Sequence, residues 1–105
     1  MESGDAVQAL AALAQVSRLA AFRLLVQAGA EGMPAGMLGD RLDIPPATLS
    51  FHLKELSRAG LVSGRTEGRY VIYTANYPAM DELIGYLTEN CCAGDAAQCA
   101  PRKTC

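Results

Sequence analysis

The apolar positions of the chain follow a helical spacing in several separate runs. Apolar residues recur three and four positions apart over residues 5–14, 17–27, 34–42 and 77–90, and this spacing predicts four helices. Residues 30–33 lack the pattern and are predicted to form a loop. The predicted apolar stripes of these four helices consist, in order, of Val7, Leu10, Leu13 and Ala14; Leu19, Phe22, Leu25 and Val26; Leu38 and Leu42; and Met80, Leu83, Ile84 and Leu87.

A fifth helix is predicted to begin at Pro46 and to end before Gly60. Proline suits the first turn of a helix because the N–H that it lacks would have no helical partner there, and glycine is the usual residue just after a helix end. Leu49, Leu53 and Leu56 fall on one stripe that we expect to be buried. This placement would leave the side chains between them facing outward: Thr48, Ser50, His52 and Glu55.

Beyond Gly60 the spacing of apolar residues changes from helical to alternating. Val62 opens this part, and after a turn at Glu67-Gly68 the residues from Tyr70 to Tyr73 alternate between two faces, as in a β-strand. The pattern predicts a short hairpin directly after the fifth helix. The expected fold is therefore mostly α with a small β-hairpin.

Composition and charge limit the number of domains, the kinds of partner and the cellular location that we expect for this chain. A chain of 105 residues, half of them hydrophobic, is sufficient for one domain, and its net charge of −2 rules out a general polycation. No run approaches the roughly 20 apolar residues of a membrane span, and the acidic N-terminus is unlike a signal peptide. We therefore expect a cytoplasmic protein that does not bind membranes.

The outward face of the fifth helix and the hairpin favour binding to nucleic acid. Hydroxyl and imidazole groups can hydrogen-bond base edges or phosphates, and Arg65 and Arg69 flank the hairpin turn, where they can reach a phosphate backbone. Residues 46–73 hold four basic and two acidic side chains, so this region is mildly basic within an acidic chain. The alternative is that the polar residues form an ordinary solvated helix face.

The same span resembles the winged helix-turn-helix of the ArsR (SmtB/ArsR) family of metal-responsive repressors. The resemblance rests on Thr48-Leu49-Ser50-Phe51-His52-Leu53-Lys54-Glu55-Leu56 followed by Ala59-Gly60-Leu61-Val62. It implies a homodimer formed through the first and last helices, bound to double-stranded operator DNA. The DNA-binding residues expected on this basis are Thr48, Ser50, Phe51, His52, Lys54, Arg65 and Arg69. Arg18 lies where the family carries a Ser/Thr-Arg-Leu opening to its second helix, but a salt-bridged surface arginine fits equally well.

All four cysteines lie in the last fifteen residues, outside any predicted helix core. We expect residues 1–90 to form the DNA-binding and dimerisation domain and residues 91–105 to form a flexible, cysteine-rich, metalloid-binding tail. Cys91 and Cys92 with Cys99 would bring three thiolates together, a soft ligand set that suits As(III) or Sb(III). Cys105 could add a fourth thiolate, which zinc or cadmium would prefer.

These features predict a repressor of an arsenic-resistance operon, released from its operator when As(III) or Sb(III) binds the three cysteines. The inducer could instead be zinc or cadmium, an organoarsenical that needs only Cys91 and Cys92, or an oxidant that joins the cysteines. An inert tail on a DNA-binding protein is a further alternative. A thiol enzyme is not expected, because there is no Cys-x-x-Cys motif and the single histidine, His52, lies on the presumed DNA-binding helix.

Overall fold

The computed structural model describes residues 1–94, and the description below is confined to them. Five α-helices and a three-stranded antiparallel sheet make up this part of the chain. The mostly α fold with a small hairpin is confirmed. The elements are α1 (Ser3–Leu13), α2 (Val16–Ala28), β1 (Met33–Pro34), α3 (Ala35–Leu42), α4 (Pro46–Arg58), β2 (Val62–Glu67), β3 (Tyr70–Ala75) and α5 (Tyr77–Leu87).

The fully buried residues of helix α1 are all alanines. Ala6, Ala9 and Ala12 are buried, whereas Val7 and Leu10 are 64% and 43% exposed. The predicted stripe through Val7 and Leu10 is therefore not the side of α1 that packs on the rest of the chain. Small side chains let α1 lie close to α2 and α4. Val7 and Leu10 remain on the surface, whereas Leu13 is partly buried against the core.

Helices α2, α3 and α4 enclose the centre of the core. Leu25, Leu38, Leu53 and Leu56 are each 0–1% exposed, and the predicted stripe of α4 is confirmed as buried. In the turn between α3 and α4, Asp43 lies in the left-handed region at φ 54°.

The end of α4 is held by backbone hydrogen bonds at Gly60. The Leu61 N–H donates to the Leu56 carbonyl and the Gly60 N–H to the Ser57 carbonyl, both at 3.0 Å. These two bonds, with Gly60 at φ 78°, form a Schellman motif. Glycine is the residue that adopts this conformation without steric cost, and it directs the chain from α4 straight into β2.

The sheet has the strand order β1-β3-β2. Strands β2 and β3 form the predicted hairpin, in register from Val62 opposite Ala75 to Glu67 opposite Tyr70. The prediction of a loop up to Met33 was wrong at its last residue, because Met33 pairs with Tyr73 as part of β1. Two paired residues are too few to produce a periodic pattern in the sequence.

Helix α5 begins at Tyr77 and ends at Leu87, three residues before the predicted end. The Asn76 side chain accepts a hydrogen bond from the Ala79 N–H at its start, and the Tyr77 hydroxyl donates to the Val26 carbonyl at 2.9 Å. Only Leu83 of the predicted stripe is fully buried, whereas Ile84 and Leu87 are 41% and 58% exposed. Helix α5 therefore uses a narrow apolar edge against its own chain.

Within the described range no single helix is long and apolar enough to cross a membrane; α1 and α2 reach the required length only as a pair bent by 102°. The cysteine-rich tail was predicted to start at residue 91, and residues 95–105 of it lie outside the described residues. The division between a domain of residues 1–90 and this tail stays a prediction.

Gly32 provides a test of how β1 is attached to β3. Its φ is 73°, and a Cβ atom there would lie 2.3 Å from the Tyr73 carbonyl oxygen. We expect Gly32→Ala to lower the free energy of unfolding by about 2–4 kcal/mol, because it adds a backbone clash to a strained conformation. Gly36→Ala in α3 is the matched control, since nothing lies within 4 Å of its added methyl group. Urea unfolding followed by circular dichroism measures both, and equal effects of the two variants would contradict this account.

Candidate nucleic-acid interface

The exposed face of α4 begins at the first turn of the helix. Thr48, Ser50 and Lys54 are exposed polar residues, and Phe51 is 55% exposed among them. An α-helix fits the major groove, where hydroxyl groups can bond base edges and an aromatic ring can contact a thymine methyl group. A single exposed apolar side chain is common on protein surfaces, so Phe51 supports a contact surface only together with the polar residues beside it.

His52 does not lie on this face, and the expectation that it points outward was wrong. Its side chain is 7% exposed and forms part of the core-facing side of α4. Positions 49, 52, 53 and 56 follow the spacing i, i+3, i+4 and i+7, so His52 completes the leucine stripe. The sequence contains this signal, although polarity alone predicts an outward position for His52. A base contact by His52 is therefore not retained.

The buried imidazole of His52 meets Arg18 from the first turn of α2. Arg18 Nη1 lies 3.5 Å from His52 Nδ1, and Arg18 Nε donates to the Ala12 carbonyl at 2.7 Å. No ion pair of Arg18 occurs within residues 1–94. The interpretation of Arg18 as a salt-bridged surface residue was therefore wrong, and its contact with α4 was not foreseen.

The two wing arginines have different surroundings. Arg65 lies in β2, where its Nε contacts Glu67 Oε2 at 2.8 Å and its Nη2 donates to the Glu31 carbonyl at 3.0 Å. Arg69 follows Gly68 at the tip of the hairpin and is exposed. In the part of the chain that is described, Arg69 has no hydrogen-bond or ion-pair partner. The charge of Arg69 is therefore more available than that of Arg65 to bind a phosphate. Arg65 also connects the hairpin to the loop before β1 by a hydrogen bond.

Cys91 and Cys92 lie directly after α5, in a short turn formed by Cys91–Gly94. Both side chains are half-buried, and the Cys91 N–H donates to the Thr88 carbonyl at 3.0 Å. The third predicted thiolate, Cys99, and the optional fourth, Cys105, lie outside the described residues. Residues 1–94 by themselves contain no group of three or more His, Cys, Asp or Glu side chains that could hold a metal ion.

Comparisons with known proteins agree with this architecture. The family model described as a helix-turn-helix domain matches residues 13–65. The uncharacterized HTH-type transcriptional regulator YceK of Bacillus subtilis is 37% identical over 70 residues, which are 65% of this chain and 69% of YceK. The transcriptional activator HlyU of Vibrio cholerae is 34% identical over 85 residues, which are 81% of this chain and 76% of HlyU.

Solved structures show the same fold. The HlyU structure from Vibrio cholerae superimposes with a TM-score of 0.66 at 36% identity, over 83% of this chain and 97% of that one. The structure of reduced HlyU gives the same score over 81% and 90% of the two chains, at 35% identity. An ArsR-like transcriptional regulator from Rhodococcus sp. RHA1 reaches 0.74 over 92% and 89% at 24% identity, which supports the fold alone.

The chain belongs to the ArsR family of winged helix-turn-helix transcriptional regulators. It is therefore a DNA-binding regulator, and α3 and α4 are the two helices of its helix-turn-helix. Within this ArsR-family fold, α4 corresponds to the recognition helix, and the β2–β3 hairpin corresponds to the wing. The exposed polar residues of α4 and the tip of the wing are its candidate DNA contacts.

Ser50 tests whether the exposed face of α4 reads DNA bases. We expect Ser50→Ala to weaken binding to a duplex selected by the wild-type protein from a random pool by about 1–3 kcal/mol, because a base-edge hydrogen bond is lost. Ser57→Ala is the matched control, as Ser57 is an exposed serine near the other end of the same helix. Fluorescence anisotropy measures both affinities. If the two variants bind as tightly as the wild type, this face of α4 is merely solvated.

Proposed function

We propose that this protein is a homodimeric repressor of an arsenic-resistance operon, released from its operator when As(III) or Sb(III) binds Cys91, Cys92 and Cys99. The single observation that carries the proposal is the position of the cysteine pair. Cys91 and Cys92 follow α5 after three residues, and α5 contacts α1 through a hydrogen bond between the Tyr86 hydroxyl and Ser3 Oγ. A ligand bound there adjoins the two helices that we expect to form the dimer.

Exposed apolar side chains on α1 and α5 support the proposed dimer. Val7 and Leu10 on α1, and Ile84 and Leu87 on α5, are at least two-fifths exposed although each is large and apolar. A second copy of the same chain would cover these groups across a two-fold axis. A dimer also agrees with the way helix-turn-helix proteins read DNA, with two recognition helices about 34 Å apart in successive major grooves.

The chemistry of the tail supports a soft, three-coordinate ligand. Thiolates select soft ions, and a trivalent arsenic or antimony ion has its lone pair in place of a fourth ligand. For such an ion to release DNA, the ligated dimer must bind the operator more weakly, typically by about 1–3 kcal/mol, and DNA must weaken the metalloid equally. Closure of the three cysteines around the ion, next to α5, would supply this coupling if it changed the distance between the two α4 helices.

Thiol oxidation is the second candidate for the inducing signal. It is favoured by the similarity to HlyU, for which a reduced form has been solved. Adjacent cysteines near a helix end could be joined to a third cysteine by an oxidant, with the same effect on α5 as a bound metalloid. Zinc or cadmium with Cys105, or an organoarsenical on Cys91 and Cys92 alone, would act at the same place.

Cysteine variants test the sensor. We expect Cys91→Ser, Cys92→Ser and Cys99→Ser each to bind the selected duplex but to remain bound when arsenite is added, because each leaves at most two of the three sulfurs. Cys105→Ser is the matched control and should be released like the wild type. Fluorescence anisotropy with arsenite, antimonite, Cd(II), Zn(II) and peroxide in parallel decides the inducer. A normal arsenite response of Cys99→Ser would leave a two-sulfur site, and failure of Cys105→Ser would indicate four thiolates.

Charged substitutions test the dimer surface. Leu10→Glu and Ile84→Glu should give folded monomers. Each replaces an exposed apolar side chain by a carboxylate at a position that the partner would cover. Leu83→Glu should instead unfold the chain, because Leu83 is 6% exposed within its own core. Gln8→Glu adds the same charge to an exposed polar position of α1 and is the control. Sedimentation velocity with circular dichroism measures both properties, and an intact dimer for Leu10→Glu and Ile84→Glu would exclude this interface.

A further inference from the structure

Arg18 connects three helices of the DNA-binding domain. Its backbone N–H donates to Gln15 Oε1 at 2.8 Å at the start of α2, and its Nε donates to the Ala12 carbonyl in the last turn of α1. Its Nη1 lies 3.5 Å from Nδ1 of His52, in the middle of α4. One side chain thus joins the end of α1 and the start of α2 to the recognition helix.

The chemistry of the contact fixes the direction of its hydrogen bond. A guanidinium group can only donate hydrogen bonds, so Arg18 is the donor and His52 Nδ1 the acceptor. The Ala12 carbonyl is one of the last four of α1, which have no partner within the helix, and a cation there also complements the helix dipole. The fixed, planar fork of arginine can satisfy both acceptors, which the single ammonium of a lysine does less well.

This hydrogen bond restrains α4 in a way that its apolar contacts do not. Among residues 1–94 it is the only side-chain hydrogen bond from α4 to α1 or α2. Leucine contacts set the distance between helices, but they have no direction and tolerate a small rotation of α4 about its axis. His52 follows Ser50 and Phe51 closely, so a restraint on His52 also sets the direction in which the DNA-facing side chains point.

We propose that Arg18 and His52 are positioning residues that set the rotation of α4 relative to α1, and through it the sequence specificity of DNA binding. Because α1 also bears Val7 and Leu10 on its outer face, the contact links the presumed dimer helix to the recognition helix. The inference rests on the proposed DNA-binding role of α4, but it does not depend on which ligand or oxidant acts at the cysteines.

The test compares specific with non-specific DNA binding by the full-length protein. The variants are Arg18→Met, which keeps an apolar stem without donors, His52→Leu, which removes the acceptor, and His52→Asn, whose side-chain oxygen can replace Nδ1. Arg23→Met is the control, because Arg23 is an exposed arginine of the same helix. The probes are the duplex that the wild type selects from a random pool and a scrambled duplex of the same length and composition. Unfolded protein lowers both apparent affinities by the same factor, so the ratio of the two affinities does not change when part of a variant is unfolded.

We expect Arg18→Met and His52→Leu each to lower this ratio about 2- to 12-fold, the net contribution of one ordinary hydrogen bond. His52→Asn should recover most of the ratio, and Arg23→Met should leave it unchanged. The double variant Arg18→Met/His52→Leu should lose no more than the larger single loss, as expected for two partners in one contact. The imidazole ¹⁵N spectrum should show the Nε2–H form in the wild type and a changed Nδ1 signal in Arg18→Met.

The inference would be overturned by wild-type ratios for Arg18→Met and His52→Leu, or by a ratio for His52→Asn as low as that for His52→Leu. Additive losses in the double variant would also overturn it. Failure of the proposed DNA binding is a separate result, in which the wild-type protein itself selects no duplex.

Discussion

The structure depends on the requirement that α4 bury one side and leave the other, the candidate DNA-binding face, exposed. Leu49, Leu53 and Leu56 are at most 2% exposed, and burial of each contributes about 1.5–3 kcal/mol. The opposite side of the helix can then consist of short polar groups and an exposed phenylalanine without loss of the fold. Both ends of α4 are defined by backbone chemistry, by Pro46 at the start and the hydrogen bonds around Gly60 at the end.

A second division, between small and large apolar residues, separates the core from the presumed dimer surface. Helix α1 packs inward through alanines and exposes valine and leucine, and α5 packs inward through Leu83 and exposes Ile84 and Leu87. A helix that met its own chain through larger side chains would have to lie further from α2 and α4. The alanine face thus brings α1 close enough for the Ala12 carbonyl to reach Arg18.

Polar contacts connect the cysteine pair to the recognition helix through the body of the domain. Helix α5 is attached to α2 by the Tyr77 hydroxyl and to α1 by the Tyr86 hydroxyl. Helix α1 in turn meets Arg18, which reaches His52. In the proposed function, a ligand after α5 acts at one end of this series and the DNA-facing side chains lie at the other. Spatial continuity alone does not demonstrate that the two ends are coupled. The physical test of this series of contacts is the coupling free energy, measured as the change in DNA affinity when the inducer binds.

The sequence by itself determined the features that depend on a residue's own backbone. The start of α4 at Pro46, its end at Gly60 and the hairpin were predictable because proline and glycine restrict or permit φ locally. The tertiary structure decided which of two apolar faces of α1 is buried, that His52 is inside, and that Met33 joins the sheet. These outcomes depend on the shape and hydrogen-bonding groups of a partner distant in the chain. The buried His52 meets a donor on Arg18, 34 residues earlier, and no local pattern in the sequence records that distance in space.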